Sequence, residues 1–315
     1  MVNYDYLERG LWALARAHRI NTMSGHLGAA VMAGYFIGEQ HADLDPAVVQ
    51  GIESELDRII AGESVFSPKK NAALSAPAMF EPFPLQQADE SLIDGIAEAL
   101  SKNINRPRAS GHNVIFAATA IRGLADHPDL ATPAITDGIR KLIAGFNDSS
   151  PGSGYYGPER GRIDGRKVTL RADDGVPPFS DLETAATVII DEVMRQPAEK
   201  HEGFGGPWHL INHTAALAEL DRYGYQSLAV AGLPALREHF RLYKTLPDIS
   251  AEKGPETPTE DSPLTADFWT PEKIRRGRAH LTHRVKTLYG YEAICDLITN
   301  EHDRLQADDR LRYLM

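Results

Sequence analysis

The chain has 315 residues, of which 42% are hydrophobic, so it can bury a sizeable core. Its length exceeds the usual single-domain size but stays within the range of large one-domain barrels and toroids. The formal net charge of −11 argues against a protein that neutralises a phosphate backbone with a clustered basic face. The densest basic cluster, Arg275, Arg276 and Arg278, is typical of a solvated helix face. We therefore predict no nucleic-acid partner.

The cysteine content and the N-terminus bear on the cellular compartment. Cys295 is the one cysteine, which excludes an intrachain disulfide framework and a cysteine-rich zinc site, and its apolar helical surroundings place it in the predicted core. Residues 1–6 lack the basic and apolar regions of a secretory signal. No apolar run reaches the length of about 18 residues that a membrane span needs. These features predict a soluble, cytoplasmic protein with no membrane partner.

Helical periodicity dominates the first half of the chain. Residues 3–18 repeat apolar side chains with a helical period, and residues 26–40 form a second such pattern that is rich in small residues. Asp45 followed by Pro46 is typical of a capped helix start. Residues 63–88 hold several prolines and phenylalanines and predict an irregular crossing. Further helices are predicted from Ser91 to about Lys102, from His112 to Leu124, and from Thr132-Pro133 to about Phe146.

The second half contains two irregular stretches. Residues 147–180 form a long irregular loop, and a loop of this length in a helical chain is typical of a lid. Within it, Asp164-Gly165 carries the signature of a tight hairpin turn. Residues 248–268 are acidic and proline-rich and predict a solvated internal linker. Helices are predicted from Ser180 to Arg195, over His209 and His213, from Leu233-Pro234 to Tyr243, and as a final pair from Thr270-Pro271 to about Leu311.

Taken together, roughly ten or eleven helices and almost no strand predict an all-α protein that forms a single domain over residues 1–315.

Three copies of a histidine-helix pattern suggest an internal repeat. A proline follows each of three histidines by 20 or 21 positions: His26 and Pro46, His112 and Pro133, His213 and Pro234. Three helical hairpins of this kind predict a toroid-like array in which the three histidines meet at one rim of a cavity. Two alternatives stay open. Alanine-rich helices can resemble one another by chance, and the spacing of the copies leaves about three helices in each, which would put successive copies on opposite layers.

His209 and His213 are candidates for a metal pair. They are four residues apart, so in a helix both rings point to the same side. That spacing suits two ligands of one metal ion, with His112 or His26 as a third ligand from elsewhere in the chain. The sequence lacks the glutamate of a His-Glu-x-x-His motif. A structural role at a helix N-terminus is the alternative for at least one of the two.

His26, His112 and His213 are candidates for general bases. A histidine near a helix N-terminus resists protonation because the helix dipole disfavours a cation there. The neutral imidazole that results is the form a general base needs. The alternative is that each histidine caps its helix or satisfies a buried polar group.

Other side chains are assigned to the walls of the same predicted pocket. Tyr155 and Tyr156 are expected to donate hydroxyl groups to a substrate oxyanion, with ordinary loop packing as the alternative. His283 and Lys286 share one helical face. Lys286 is either an anion anchor or an exposed side chain, and the pattern favours exposure. The remaining candidates for substrate binding are Trp208, His209, Asn113 and Asn212.

The order of these stretches resembles that of questin-oxidase-like proteins. The resemblance rests on four short blocks: Gly25-His26 to Gly38, Gly111-His112 to Leu124, His213-Thr214 with Ala215, Ala216 and Leu217, and His283-x-x-Lys286. It implies a mainly helical enzyme linked to Baeyer–Villiger-type oxidative ring opening of aromatic polyketides. It also implies either no added cofactor or a reduced nicotinamide cofactor together with oxygen.

We therefore predict an enzyme that acts on a small, partly apolar molecule in a histidine-lined pocket, with oxygenation of an aromatic or carbonyl compound as the reaction. One alternative is a cofactor-free or metal-assisted lyase, hydrolase or isomerase that uses the same histidines. A non-catalytic helical-repeat scaffold is the other. A homo-oligomer is compatible with all three.

Overall fold

The computed structural model of the protein is all-α, as the sequence predicts. It describes residues 1–172, 174–195, 199–270, 281–298 and 300–315, and it leaves the side chains of residues 193–195, 302 and 303 undescribed. Within these residues, thirteen α-helices and one two-stranded antiparallel sheet account for the regular structure, apart from short 3-10 turns. The chain divides into two compact units, each of which is built from three separate segments.

The first unit contains residues 1–100, 116–145 and 260–289. Helices α1 to α7 lie wholly or mainly in it: α1 Asp5–Arg16, α2 Gly25–Gln40, α3 Pro46–Ala61, α4 Ala76–Met79, α5 Asp94–Ser101, α6 His112–Asp126 and α7 Pro133–Ala144. Helix α2 is buried over nearly its whole length. Because a helix that is apolar on all sides must be covered on all sides, α2 is the centre of this unit.

The second unit contains residues 101–115, 146–259 and 290–315. Its regular elements are strands β1 Ser153–Tyr155 and β2 Arg162–Asp164, then α8 Leu182–Arg195, α9 Gly206–Arg222, α10 Gln226–Lys244, α11 Ser250–Lys253 and α13 Glu301–Leu311. Helix α12, Leu281–Cys295, contributes its first part to the first unit and its last part to the second. Helix α9 packs against α8 and α10, so most of its side chains are buried.

Small residues allow helices α1 and α2 to pack closely. A Cβ atom built on Gly28 of α2 would lie 2.5 Å from the backbone oxygen of Gly10 and 2.5 Å from the backbone nitrogen of Leu14, both in α1. These are backbone atoms, which cannot move aside as a flexible side chain could. The small-residue pattern of residues 26–40 is therefore a close-packing device, as its composition indicates.

Two predicted helix starts differ in outcome. Asp45 caps α3 as expected, because its carboxylate accepts a hydrogen bond from the backbone N–H of Ala47 at 2.7 Å. The helix predicted to open at Ser91 instead begins with a 3-10 turn, Glu90–Ile93, which Asp89 caps. Asp89 accepts from both the backbone and the hydroxyl of Ser91, so the carboxylate supplies the cap and the serine donates to it.

The third copy of the predicted repeat is wrong. Pro46 and Pro133 occupy first-turn positions of α3 and α7, but Pro234 lies in the interior of α10. A proline there removes one backbone hydrogen bond, and the packing of α10 against α9 retains the helix nonetheless. The spacing from His213 to Pro234 therefore does not mark a second helix, although the two earlier spacings do.

The prediction that Asp164-Gly165 forms the turn of a hairpin is also wrong. Strand β1 pairs with β2 from Ser153 opposite Asp164 to Tyr155 opposite Arg162, so the connection is the stretch 156–161. Asp164 ends the second strand and caps a 3-10 turn by accepting from the backbone N–H of Arg166 at 2.9 Å. The positive φ angles that a tight turn needs occur instead at Gly157 and Gly161.

Several predictions about organisation stay predictions. These are the single domain over residues 1–315, the toroid-like array, the lid role of 147–180 and the linker role of 248–268. Residues 248–268 do hold helix α11 and the start of a 3-10 turn, Ala266–Trp269. The start of the final helical pair and the arginine cluster fall in residues 271–280, outside the described ranges. Among the residues that are described, no helix is long and apolar enough to cross a membrane.

The close contact at Gly28 gives the first testable prediction. Gly28→Ala should lower the free energy of unfolding by about 1–3 kcal/mol, because the added methyl group must push α1 and α2 apart. Gly95→Ala in α5 is the matched control, since its Cβ would lie 3.8 Å from the nearest atom outside its own helix, Cδ of Arg140. The control should leave stability unchanged or raise it by up to about 1 kcal/mol. Urea unfolding of both variants measures this, and an equal loss in both would contradict the packing argument.

Candidate functional site

Each unit contains a buried cluster of basic side chains, which makes the interior rich in histidine. His112, His209, His213 and His239 come together in the second unit, which we call the imidazole cluster. The first unit holds a second cluster, which we call the lysine cluster and define below. Of the twelve histidines in the chain, at least five are buried, namely His26 and the four of the imidazole cluster.

The first backbone segment of the imidazole cluster is strained. Ala109 and Ser110 have φ angles of 45° and 59°, in the left-handed region that non-glycine residues rarely adopt, and Gly111 follows at 85°. Two backbone hydrogen bonds hold the segment, from Ala109 N–H to Ser150 at 2.6 Å and from Ser110 N–H to Pro151 at 2.8 Å. The sharp turn delivers His112 to the first position of α6.

A second strained segment precedes α9. Phe204 has a φ angle of 47° and lies among three glycines with positive φ angles, Gly203, Gly205 and Gly206. A Cβ atom on Gly205 would lie 2.2 Å from Cγ of His209, so glycine is needed for this ring to approach the turn. The backbone N–H of Phe204 donates to the carbonyl oxygen of Ser153 in β1 at 2.9 Å. The 147–180 stretch thus anchors both strained segments.

His112 and His209 have their protons positioned by backbone carbonyl groups. Nδ1 of His209 lies 3.1 Å from the carbonyl oxygen of Ser110, and Nδ1 of His112 contacts that of Ala109. A carbonyl oxygen only accepts, so each of these Nδ1 atoms carries a hydrogen. The two ring centroids are 4.4 Å apart. His209 and His112 are therefore both oriented by the strained segment at residues 109–111.

His213 and His239 form a buried imidazole pair. Their Nδ1 atoms are 3.2 Å apart, and Nε2 of His239 lies 2.7 Å from the carbonyl oxygen of Phe204. Burial lowers the pKa of His239 to about 4. Burial also lowers the pKa of His213 well below its ordinary value, and the neighbouring His239 and His112 lower it further. Both rings are therefore neutral near pH 7.

The low pKa of His213 has a different cause from the one that the sequence indicates. His213 is the eighth residue of α9, about two turns inside the helix, where the effect of the N-terminal dipole has faded. His112 and His26 do lie in the first turns of α6 and α2. The expectation that the helix terminus keeps His213 neutral is wrong, and burial does so instead.

Two amide side chains in the second unit have unmatched polar atoms. Within the described chain, Nδ2 of Asn212 and Oδ1 of Asn113 are buried without a hydrogen-bond partner. The other end of the Asn113 amide donates to the backbone oxygen and Oδ1 of Asn103, at 3.2 and 2.9 Å. Asn212 sits against Gly290, where a Cβ atom would lie 2.4 Å from its Oδ1. A buried amide donor without an acceptor costs free energy, so a ligand oxygen is a chemically fitting partner for Asn212.

The aromatic candidates have other partners. The Tyr155 hydroxyl donates to Glu252 at 2.8 Å, and this hydrogen bond raises the pKa of the phenol. The Tyr156 hydroxyl lies 2.5 Å from the hydroxyl of Thr245, and Nε1 of Trp208 donates to the carbonyl oxygen of Leu314 at 2.7 Å. Ordinary loop packing, the alternative for the two tyrosines, accounts for these contacts, and the oxyanion role stays a prediction.

The lysine cluster in the first unit consists of His26, Phe66, Phe116, His283 and Lys286. The His26 ring stacks on that of Phe66 with centroids 3.7 Å apart, and the His283 centroid is 5.1 Å from that of His26. Nζ of Lys286 lies 2.6 Å from Nδ1 of His26. His26 and His283 each offer a ring nitrogen, and these nitrogens lie within 4.8 Å of each other.

Lys286 is buried, so its expected exposure is wrong. Lys286 is 2% exposed, and burial lowers the pKa of its amine from 10.5 to about 7. No carboxylate among the described residues forms an ion pair with it. The amine is thus held in an apolar pocket where a large fraction is uncharged near neutral pH. Its sequence neighbours gave no sign of this, because His283 and Arg284 suggest a polar face.

The structure brings together part of the predicted site. His112, His209 and His213 meet in the second unit, whereas His26, His283 and Lys286 meet in the first, and a rim shared by all three predicted bases stays a prediction. The described residues of the second unit place no third metal-binding side chain with His209 and His213, so that metal pair also stays a prediction. His239 was missed because it lies in no motif. Its apolar neighbours in α10 were the one available signal.

Comparison with known proteins gives no relative to compare these clusters with. No protein-family model, no curated protein and no solved structure matches the chain.

The low pKa of the imidazole pair predicts an acid-dependent loss of stability. An unfolded histidine titrates near pH 6.5, whereas His239 in the fold titrates near 4. Between these values the unfolded chain binds protons that the folded chain excludes. The free energy of unfolding therefore falls as the pH drops from about 6.5 to about 4, with a slope of up to about 1.4 kcal/mol per pH unit for each group.

Urea unfolding across this range measures the slope. His239→Gln should flatten it, because one of the two titrating groups is gone. His18→Gln, which changes an exposed histidine, is the control and should retain the wild-type slope. An unchanged slope in His239→Gln would show that the pair is not protected from protonation.

Proposed function

We propose that the protein is an enzyme that acts on a small, partly apolar molecule with a carbonyl or phenolic oxygen, and that His213 is its general base. The proposal rests on one observation, the environment of the Nε2 atom of His213. Within the described chain this nitrogen is fully buried and has no hydrogen-bond partner. A buried ring nitrogen is normally satisfied, so an unmatched one supports a role toward a ligand.

The charge state of His213 favours a substrate with an acidic proton. A general base works best when its pKa is near that of the group it deprotonates and near the working pH. Because burial lowers the pKa of His213 well below 6.5, the ring is a weak base that is neutral at pH 7. Such a weak base fits a strongly acidified proton, such as that of a hydroxyquinone, whose anion is stabilised by the neighbouring π-system.

Asn212 supports a carbonyl-containing substrate. Its buried Nδ2 has no hydrogen-bond partner among the described residues, and it would donate to an oxygen on which negative charge develops. Neutral donors and neutral bases in an apolar interior favour an uncharged, partly apolar molecule over an anion such as a phosphate ester.

Oxygenation is the reaction that we propose, in line with the resemblance to questin-oxidase-like proteins. In a Baeyer–Villiger-type reaction one oxygen atom of O2 enters next to the carbonyl carbon and the second leaves as water. A reduced nicotinamide cofactor would supply the two electrons for that water. His213 would remove the acidic proton of the substrate, and the protein would exclude bulk water from the site.

A metal-assisted reaction is the second candidate, because of the lysine cluster. Imidazole nitrogens bind transition metals, and His26 and His283 each place one within 4.8 Å of the other. The neutral amine of Lys286 beside them can bind a metal, whereas an ammonium ion would repel it. This candidate needs only residues of the first unit.

The base role predicts a large kinetic effect of His213→Gln. Oxygen uptake should be followed with a reduced nicotinamide cofactor and a panel of phenols and hydroxyquinones. The variant should lower kcat by about 10²- to 10⁴-fold, the usual contribution of a general base. His201→Gln is the matched control, since His201 belongs to the same unit and bonds to Pro247 and Glu199 instead. Its kcat should stay within a few-fold of the wild type.

Other outcomes separate the alternatives. Turnover that needs no oxygen would contradict oxygenation and support the lyase, hydrolase or isomerase. Equal kcat in the wild type and His213→Gln would contradict the base role. Binding of panel compounds without any turnover would support the non-catalytic scaffold.

The metal candidate makes a separate prediction. Inductively coupled plasma mass spectrometry of the purified protein should find about one transition-metal ion per chain. His283→Ala should lose it, and His18→Ala, an exposed histidine, should retain it. Metal that His283→Ala retains, or its absence from the wild type, would contradict this candidate while leaving the base role of His213 intact.

A further inference from the structure

A line of three groups runs through the second unit from the backbone to the unmatched nitrogen. The carbonyl oxygen of Phe204 contacts Nε2 of His239 at 2.7 Å, and Nδ1 of His239 contacts Nδ1 of His213 at 3.2 Å. Nε2 of His213 is the far end of the line. Both rings are completely buried, so water does not exchange protons with them freely.

The chemistry of these groups determines where each hydrogen lies. The carbonyl oxygen can only accept, so Nε2 of His239 carries a hydrogen. A neutral imidazole has one hydrogen, so Nδ1 of His239 has a lone pair. Nδ1 of His213 must then donate to it, since two facing lone pairs would repel. The hydrogen of neutral His213 is thus on Nδ1, and its Nε2 keeps a lone pair.

We infer that His239 is a positioning residue that fixes the tautomer of His213 and so leaves Nε2 of His213 as the proton acceptor. This inference rests on the proposed function where it concerns turnover, but the tautomer itself can be measured without any substrate. His239 does for His213 what a carboxylate does for the histidine of a hydrolytic triad, but without a charge.

The absence of a charge changes what the base can do. A carboxylate partner would stabilise the imidazolium ion and raise the basicity of His213. A neutral imidazole orients the ring but gives little such stabilisation. His213 would therefore hold a substrate proton briefly and return it, which suits a substrate whose own anion is well stabilised by conjugation.

The backbone holds the start of the line in place. Phe204 has its strained φ angle of 47°, and its carbonyl group points at His239 because the turn through Gly203 and Gly206 closes with a hydrogen bond of 2.8 Å. A Cβ atom on Gly111 would lie 2.7 Å from Nδ1 of His213, so the glycine leaves room for the ring-to-ring contact. The strained φ angle of Phe204 and the small size of Gly111 therefore occur where the two imidazoles contact the backbone.

The test is nitrogen NMR on protein that contains ¹⁵N-labelled histidine. The chemical shifts of the two ring nitrogens distinguish a protonated from an unprotonated nitrogen, and His213→Gln identifies the His213 signals by their loss. In the wild type, His213 should show a protonated Nδ1 and an unprotonated Nε2 near pH 7. The opposite assignment would overturn the inference, whatever the variants do.

Two variants of His239 test its role. His239→Gln should retain the His213 tautomer, because an amide carries a donor and an acceptor in the same relation as the two ring nitrogens. His239→Leu removes both and should shift His213 toward the tautomer with its hydrogen on Nε2. If the leucine variant does not fold, the wild-type spectrum and the glutamine variant still decide the matter. A changed His213 tautomer in His239→Gln, or an unchanged one in a folded His239→Leu, would overturn the inference.

Measurements of turnover distinguish a failure of this inference from a failure of the proposed function. His239→Leu should lower kcat by about 10- to 100-fold with KM nearly unchanged, and His239→Gln should recover most of that loss. A confirmed tautomer in a protein that turns over no substrate would refute the proposed function and leave the positioning role intact. Normal kcat in a folded His239→Leu that has the altered tautomer would refute its importance for turnover.

Discussion

The candidate site depends on the burial of the basic nitrogen atoms of His213, His239 and Lys286, whose pKa values are lowered by burial and raised by no described carboxylate. In the apolar interior an isolated charge is costly, so the imidazoles of His213 and His239 and the amine of Lys286 are driven toward their neutral forms. A neutral nitrogen base has a lone pair, and each lone pair needs a donor. The positions of donors and carbonyl groups therefore decide which nitrogen atoms stay available for chemistry.

The backbone meets this constraint at two strained turns. Residues 109–111 and 203–206 adopt left-handed conformations immediately before helices α6 and α9, and their carbonyl groups accept from buried histidines. Each such conformation at a non-glycine residue costs on the order of 1–3 kcal/mol. The 147–180 stretch offsets that cost with backbone hydrogen bonds to both turns. Its irregular path is therefore part of how the site is built.

Both clusters contain buried basic nitrogen atoms, but the groups in contact differ. In the second unit one imidazole faces another, whereas in the first unit an amine faces the imidazole of His26. Among the described residues, no acidic side chain forms an ion pair with Lys286, and none shifts the pKa of His213 or His239. An interior of this kind therefore disfavours an isolated charge on any of these groups.

The sequence by itself determined the helices and the small-residue faces that pack them, because periodicity and composition are local properties. It also identified His26, His112, His209 and His213 as the candidates. Only the tertiary structure decided which of them meet, added His239 and buried Lys286, since these depend on neighbours far away in the chain. The turn at Asp164-Gly165 and the helix start at Pro234 were mispredicted for the same reason. Strand pairing and helix packing override the local preference of a short sequence for a turn or a helix start when they give more backbone groups a hydrogen-bond partner.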